Sequence, residues 1–248
     1  LGDVPRRVRV RHGLVAVAQV VVPSSIFIGT IALVSGFYDL PTALYLNGLL
    51  GSDSWTDQWQ FWFLEALVWI SLAVVALVAI PAVDRWERRA PYAFAAALLG
   101  AALLVRFAWV GGVETGHTER YTVGVVAWCF LLGWLAARAR TTPQRLLVVL
   151  AAVVGVAGFF GEPGREVVVV LAVAALTFVP TVRVPRPVAG ALGVLAASSL
   201  FVYLAHWQVY PHLEDDFPLL ATLGSFAVGI VYWLLMRPVV RHLGRVLR

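Results

Sequence analysis

Long apolar segments separated by short polar ones fill almost the whole chain of 248 residues. Most of these segments approach the roughly 20 residues that an α-helix needs to cross the hydrocarbon core of a bilayer. The pattern therefore predicts an all-α fold, a polytopic membrane helical bundle with about eight transmembrane helices. The predicted spans are residues 14–34, 59–83, 92–110, 121–137, 145–160, 166–179, 189–210 and 218–240.

The composition leaves little room for a soluble domain. Hydrophobic residues make up 60% of the chain and charged residues only 13%, against roughly 25% charged residues in an average soluble protein. We therefore expect residues 1–248 to form a single transmembrane domain. The only cysteine, Cys129, lies within a predicted span, which excludes an intrachain disulfide and argues against a cysteine metal site. No bound cofactor and no metal site is predicted.

Arginine residues mark one side of the predicted bundle. Sixteen of the nineteen basic residues fall in the two terminal segments and in alternate connections, whereas the opposite connections are mainly acidic. Because cytoplasmic loops of membrane proteins are enriched in basic residues, this asymmetry predicts that both termini of the chain are cytoplasmic. It also explains the net charge of +5. Membrane lipid is therefore the expected surrounding, and no nucleic-acid partner is expected, since no solvated basic patch with interleaved aromatic residues occurs.

A polar stripe in the seventh predicted span carries the first candidate chemistry. Ser199, Tyr203, His206 and Tyr210 follow one another at helical spacing, so a continuous α-helix would present them on one face. Polar side chains within hydrocarbon are costly unless they face the bundle interior or a wet cavity. We therefore expect this helix to form one wall of a site.

Two further ionisable residues lie within spans at the predicted depth of His206. Counted from the outer end of each span at about 1.5 Å per residue, Glu65, Arg106 and His206 all lie roughly 8 Å below the outer surface. A shared pocket would let Glu65 and Arg106 neutralise one another and leave His206 to move protons or bind a polar substrate. The alternatives are a purely structural ion pair, an Arg106 that snorkels to the interface, and an interhelical hydrogen bond from His206.

One outer connection also contains side chains of the types that contact a metal or a polar acceptor. Glu114, His117 and Glu119 lie between the third and fourth predicted spans. Their spacing matches no established metal motif, so a solvated turn is the alternative. On the last span, Ser225 and Gly229 have the spacing of small residues in closely packed transmembrane helices.

Three short segments resemble the membrane-bound acyltransferase family 3, whose members are O-acyltransferases of glycans, lipids and other acceptors. Residues Ser199 to His206 resemble its late helix with the pattern Ser-x-x-x-Tyr-Leu-x-His. Residues Trp59 to Glu65 resemble its Trp-Phe-Leu segment, which opens a span and carries an acidic residue, and Arg7 to Arg11 resemble the basic pair before its third helix. The resemblance implies transfer of an acyl group, in particular acetyl, from acyl-coenzyme A to a hydroxyl acceptor at the cell envelope.

The resemblance also implies roles for individual residues. Arg9 and Arg11 would bind the phosphates of the acyl-coenzyme A donor, because guanidinium groups bind phosphate in a bidentate manner. His206 and Glu65 would act at the hydroxyl acceptor, and Arg106 would stabilise the oxyanion or hold Glu65. The remaining candidate substrate-binding residues are Ser199, Tyr203 and His117.

The resemblance further implies a longer protein. Family members have about ten helices, and their first helix carries the histidine to which catalysis is generally assigned. Nothing here matches that helix, and the chain begins at Leu1 with its only methionine at Met236. We therefore expect two N-terminal helices of the same protein, with the principal catalytic histidine, to precede Leu1.

Two other functions are compatible with the same residues. A transporter of a polar or anionic metabolite would use the intramembrane charges as its binding site, but such proteins typically have internal repeats and broken helices. The break expected here is the one at Pro23, without a convincing repeat. A non-catalytic membrane anchor of a larger enzyme would have no use for His206 and Glu65, which are costly in lipid.

Overall fold

The computed structural model describes residues 4–51, 55–110, 113–114, 119–179 and 181–246. Within these residues the chain forms eleven α-helices and three 3-10 helices without any β-strand, which confirms the predicted all-α fold. The α-helices are α1 (Arg6–Ser35), α2 (Leu40–Ala43), α3 (Asn47–Leu50), α4 (Trp62–Ala79), α5 (Pro81–Arg89), α6 (Pro91–Val110), α7 (Val123–Arg138), α8 (Thr142–Val156), α9 (Pro163–Phe178), α10 (Arg186–His206) and α11 (Pro218–Val246). The 3-10 helices are Asp57–Phe61, Glu119–Tyr121 and Tyr210–His212.

Each predicted span overlaps one of the longer α-helices. Five segments in the described part of the chain are long and apolar enough to cross a membrane. These are Arg6–Ser35, Asp57–Ala79, Pro91–Ala108, Arg186–His206 and Pro218–Arg245. Helices α7 and α8 are apolar but shorter, and α9 has 16 residues. The architecture is that of a helical membrane bundle.

The first helix begins at Arg6, earlier than the predicted start near residue 14. Arginine has a high helix propensity, and the amide groups of Val8 and Arg9 donate to the carbonyl oxygen of Pro5 at 3.0 and 3.1 Å. The basic segment is therefore helical. Pro23 lies inside α1, as a membrane helix can accommodate.

The second predicted span divides into two helices. α4 ends at Ala79 rather than near residue 83, because Ile80 precedes a proline and takes an extended conformation with φ −76° and ψ 121°. Pro81 then occupies the first turn of α5, where its missing N–H costs no hydrogen bond. Asp84 and Glu87 of this short helix are buried, so α5 presents a charged face to the protein.

The polar stripe predicted through Tyr210 is wrong at its C-terminal end. α10 ends at His206, because the ring of Pro211 would clash with the carbonyl group four residues before it and offers no N–H to continue the helix. Tyr210 lies in the following 3-10 helix. The predicted helical face is therefore limited to the residues up to His206.

By their internal packing, the residues fall into two compact units. The first comprises Leu1–Val10, Ser52–Trp55 and Trp62–Val182, and the second comprises Arg11–Gly51, Thr56–Phe61 and Arg183–Arg248. That all residues act as one domain stays a prediction.

The core of the first unit is formed by apolar side chains of α4, α6, α7 and α8. Trp128 of α7 is 2% exposed and meets Phe159 edge to face, with ring centroids 5.3 Å apart. Gly158 follows α8 with φ +65°, and a side chain there would also overlap the backbone of Val113. Glycine at this position therefore both ends α8 and permits the close approach of the neighbouring segment.

Close packing of α10 against α11 dominates the second unit. Ser225 of α11 is buried, and a Cβ atom at Gly229 would overlap the backbone of Val202 on α10. This confirms the small-residue contact expected from the spacing of Ser225 and Gly229. The helix that carries His206 is thereby fixed against α11.

Candidate functional site

Of the predicted polar stripe on α10, Tyr203 contacts another segment, whereas the hydrogen bonds of His206 and Ser199 lie within α10. The Tyr203 hydroxyl donates to the backbone carbonyl oxygen of Gln60 at 2.9 Å. Ser199 is exposed and its hydroxyl donates to the carbonyl oxygen of Ala196 in its own helix at 3.0 Å. A contact of Ser199 with substrate stays a prediction.

The imidazole of His206 is held in one orientation. Its Nδ1 atom lies 2.5 Å from the backbone carbonyl oxygen of Tyr203. A carbonyl oxygen only accepts hydrogen bonds, so Nδ1 carries the proton and donates it, and in the neutral ring Nε2 carries the lone pair. The rings of Tyr203 and Trp207 flank the half-buried imidazole at centroid distances of 5.4 and 4.6 Å. Nε2 is thus the basic nitrogen of this residue.

A chain of side-chain hydrogen bonds lies in the same unit as His206. Gln208 Nε2 donates to the Tyr38 hydroxyl at 2.7 Å, and that hydroxyl donates to Gln60 Oε1 at 2.5 Å. Gln60 Nε2 donates in turn to Asp57 Oδ1 at 3.1 Å. Because the Gln60 carbonyl also accepts from Tyr203, this one glutamine joins the segment after α1, the first 3-10 helix and α10.

Tyr38 remains protonated in this environment. Its side chain is 3% exposed, and burial raises the pKa of its phenol well above the usual value near 10. The hydrogen bond from Gln208 lowers this pKa, and the negative charge of Asp57 raises it, but burial is the larger effect. The phenol therefore keeps the proton that it donates to Gln60 at neutral pH.

Glu65 and Arg106 lie in the first unit, on α4 and α6, and are 4% and 1% exposed. Arg106 Nη2 donates to the carbonyl oxygens of Ala157 at 2.7 Å and Val113 at 3.3 Å. Its Nε and Nη1 atoms have no hydrogen-bond partner among the described residues. Arg106 therefore does not snorkel to the interface, and its partners are carbonyl groups rather than the carboxylate of Glu65.

Aromatic rings complete the surroundings of Arg106. The guanidinium carbon lies 4.4 Å from the ring centroid of Phe107, 5.7 Å from that of Trp128 and 5.4 Å from that of Phe159. Cations near ring faces are stabilised by the ring quadrupole, and a cation at the C-terminal end of a helix is stabilised by its dipole. Arg106 thus fastens the end of α8, where Ala157 is the cap residue.

Arg9 belongs to an ion-pair cluster on the arginine-rich side of the first unit. Its Nη1 lies 2.6 Å from Asp84 Oδ1 and its Nη2 lies 2.7 Å from Glu87 Oε2. Arg138 pairs with Glu87 at 2.6 Å, and Arg88 pairs with Asp84 at 2.9 Å. The guanidinium predicted to bind donor phosphate is therefore already bound to two carboxylates. It joins α1 to α5.

A family model described as an acyltransferase domain matches residues 9–237, which is most of the chain. The chain belongs to the acyltransferase 3 family. It is therefore a multi-pass membrane acyltransferase. No curated protein and no solved structure matches it.

The family match spans all the predicted site residues of this acyltransferase. Glu65, Arg106, Ser199, Tyr203 and His206 all lie within residues 9–237. The match assigns no role to any of them, so their parts in catalysis and binding stay predictions, as do those of Arg9 and of Arg11, whose side chain is exposed.

His117, a further candidate in this acyltransferase, lies outside the described residues. Its neighbour Glu114 is exposed, and the described part of the chain contains no group of three or more His, Cys, Asp or Glu residues placed to hold a metal ion. Binding of an acceptor by His117 stays a prediction.

The sequence did not single out Tyr38, Gln60 or Gln208. Gln60 lies within the segment resembling the family's Trp-Phe-Leu motif, and Gln208 follows His206 by two residues. Their proximity to motif residues in the sequence could have indicated that they lie near the site. Tyr38 joins Gln208 across 170 positions of sequence, a pairing that no local pattern indicates.

Proposed function

We propose that this membrane acyltransferase transfers an acyl group, in particular acetyl, from acyl-coenzyme A to a hydroxyl group of a cell-surface glycan, a lipid or a small molecule. Family membership supports the general reaction. The observation that carries the finer proposal is the orientation of His206, whose Nδ1 donates to the Tyr203 carbonyl and whose Nε2 is the basic nitrogen.

In the proposed reaction, His206 Nε2 removes the proton of the acceptor hydroxyl as the oxygen attacks the carbonyl carbon of the thioester. This proposal gives the part of the base to His206 and not to the upstream histidine that the resemblance implies. The tetrahedral intermediate collapses with cleavage of the carbon–sulfur bond. The thiolate of coenzyme A leaves and takes the proton from the imidazolium, so that the ester, free coenzyme A and neutral histidine result. A neutral imidazole with a fixed tautomer is suited to both proton transfers.

Tyr203, Gln60 and Tyr38 have a positioning role in this proposal. The Tyr203 carbonyl orients the imidazole, and the Tyr203 hydroxyl is itself held by the carbonyl of Gln60. Gln60 is held by Tyr38 at 2.5 Å. Such second-layer hydrogen bonds keep a reacting group within the narrow limits that proton transfer requires.

The proposal includes an orientation in the membrane. With both chain termini cytoplasmic, the donor arrives at the arginine-rich side, and the acceptor hydroxyl is acylated nearer the opposite surface, at the level predicted for His206 and Glu65. Arginine enrichment on one side supports this orientation.

The test measures transfer of radiolabel from acetyl-coenzyme A into lipid, glycan and small-molecule fractions of membranes that contain the full-length protein. We expect the His206→Ala variant to lose label incorporation by at least about 100-fold, as for removal of a general base. His212→Ala is the matched control, because His212 is an exposed histidine in the following 3-10 helix.

No incorporation by the parent protein from any of several acyl-coenzyme A donors would contradict the proposed donor. Equal incorporation by the parent and the His206→Ala variant would contradict the proposed role of the histidine and leave the donor proposal standing.

A further inference from the structure

A groove of about 650 Å³ opens on the arginine-rich side of the first unit. It lies where α5 and α7 end and where α6 and α8 begin. Its volume is within the roughly 300 to 1,000 Å³ of small-molecule binding sites. The polar residues that line it are Arg88, Tyr92, Arg138, Arg140, Thr141 and Gln144.

The charges around this groove do not cancel. Asp84 and Glu87 are the two buried carboxylates beside it, and three guanidinium groups, those of Arg9, Arg88 and Arg138, pair with them. One net positive charge is therefore left in the cluster. Arg140, which also lines the groove, adds a second positive charge. The groove therefore favours an anion.

Among the three arginines that line the groove, Arg140 is the one that pairs with no carboxylate of the described residues. Its side chain is exposed and makes no hydrogen bond or ion pair among the described residues. Its backbone is nevertheless fixed, because the Arg140 amide donates to Gln144 Oε1 at 2.8 Å. Gln144 and Thr141 form the capping box of α8, which sets the base of the Arg140 side chain at the mouth of the groove.

The groove also has an apolar part and two helix N-termini. Ala90, Pro91 and Ala93 line it beside the ring of Tyr92, whose hydroxyl donates to the Gln144 carbonyl at 3.0 Å. The N-terminal ends of α6 and α8 add positive potential to that of the arginines. The geometry points to a ligand that combines an anionic head with a less polar extension.

We propose that this groove binds a phosphate-bearing ligand, with Arg140 as its principal contact. Guanidinium groups bind phosphate oxygens in a bidentate manner, and an exposed guanidinium without a protein partner has no competing ion pair to break. Two sources supply this chemistry at a membrane surface: the phosphates of coenzyme A and the headgroup of an anionic phospholipid. The identification of coenzyme A as the ligand rests on the proposed function. The proposal that the groove binds a phosphate group does not.

The test measures binding rather than acyl transfer, so it can be read even where the proposed reaction fails. The full-length protein in detergent is titrated with radiolabelled coenzyme A by equilibrium dialysis. In parallel, the protein is reconstituted in nanodiscs of phosphatidylglycerol and phosphatidylcholine, and the phosphatidylglycerol that it retains is measured by mass spectrometry.

We expect the Arg140→Gln variant to bind one of these two ligands at least about tenfold more weakly, the effect of losing one charge-assisted phosphate contact. We expect Arg140→Lys to recover part of this loss of affinity. Arg89→Gln is the matched control, because Arg89 is exposed at the end of α5 and does not line the groove. Loss of coenzyme A binding supports the donor as the ligand, and loss of phosphatidylglycerol retention supports the lipid headgroup. Unchanged binding of both ligands in Arg140→Gln, or equal losses in Arg89→Gln, would overturn the proposal.

Discussion

The residues around His206 are organised by hydrogen bonds to backbone carbonyl groups. His206 donates to the Tyr203 carbonyl and Tyr203 donates to the Gln60 carbonyl, so the orientation of the imidazole depends on backbone position more than on side-chain identity. Tyr38 is different, because its hydroxyl joins two side chains, those of Gln60 and Gln208. Loss of the Tyr38 hydroxyl would therefore release both glutamines.

Replacing Tyr38 with phenylalanine removes this hydroxyl and keeps the aromatic ring. We expect the free energy of unfolding at neutral pH to fall by about 1 to 2 kcal/mol, because Gln60 and Gln208 each lose a partner in a buried site. Thermal unfolding in detergent measures the effect. Tyr210→Phe is the control, since the Tyr210 side chain makes no hydrogen bond among the described residues, and an equal fall in both variants would contradict the role of Tyr38.

The same variant has a pH signature. Burial raises the pKa of Tyr38 in the folded protein above the value near 10 of the unfolded chain. A raised pKa means that the folded state holds the proton more tightly, so the stabilisation from this phenol is complete below pH 10 and is lost as the pH rises above it. The stability difference between the parent and Tyr38→Phe should therefore shrink above pH 10.

At the scale of elements, α5 is the feature that holds the arginine-rich side of the first unit together. Its two buried carboxylates bind guanidinium groups from α1, from α7 and from α5 itself. Buried carboxylates of this kind are tolerated only where their charge is paired. This helix has nine residues. Its carboxylates bind Arg9, which lies 75 and 78 positions earlier in the sequence than Asp84 and Glu87.

Glu87→Gln tests this arrangement. The Glu87 side chain is 4% exposed and binds both Arg9 and Arg138. Its neutralisation leaves Arg138 without its charge partner and leaves Arg9 paired with Asp84 alone. We expect the free energy of unfolding to fall by about 3 kcal/mol, as for other broken buried ion pairs. Denaturation in detergent, followed by loss of the folded helical signal, measures the change.

Glu162→Gln is the matched control for this variant. Glu162 pairs with Arg165 at 3.7 Å, but the two side chains are 66% and 55% exposed, and exposed ion pairs contribute little to stability. A loss in Glu162→Gln as large as that in Glu87→Gln would contradict a specific role for the α5 cluster.

At the scale of the whole molecule, the hydrophobic pattern was sufficient to predict every long helix, because burial in a bilayer imposes length and composition on each span. It did not predict where α4 and α10 end. Those boundaries depend on Pro81 and Pro211. A hydropathy pattern does not register the effect of a single proline on the backbone. The polar stripe was accordingly one turn too long.

Long-range partners were the least predictable part of the site. Arg106 lies within its helix as expected, yet the identity of its partner, a carbonyl at the end of α8, depends on how helices far apart in sequence pack. Arg9 likewise has the residue type expected of a phosphate contact, but the carboxylates of α5 bind it. Sequence patterns indicate which residue types a site contains, whereas tertiary packing decides which of them meet.

The most direct test of the role of His206 replaces it with asparagine. The asparagine amide lies near the position of Nδ1 and preserves the donor to the Tyr203 carbonyl, but it has no nitrogen lone pair in place of Nε2. In acyl transfer from acetyl-coenzyme A by the full-length protein, we expect a kcat at least about 100-fold below that of the parent, with an unchanged Tm and an unchanged KM for the donor. A His206→Asn variant that keeps the kcat of the parent would contradict the claim that this imidazole moves the proton of the acceptor.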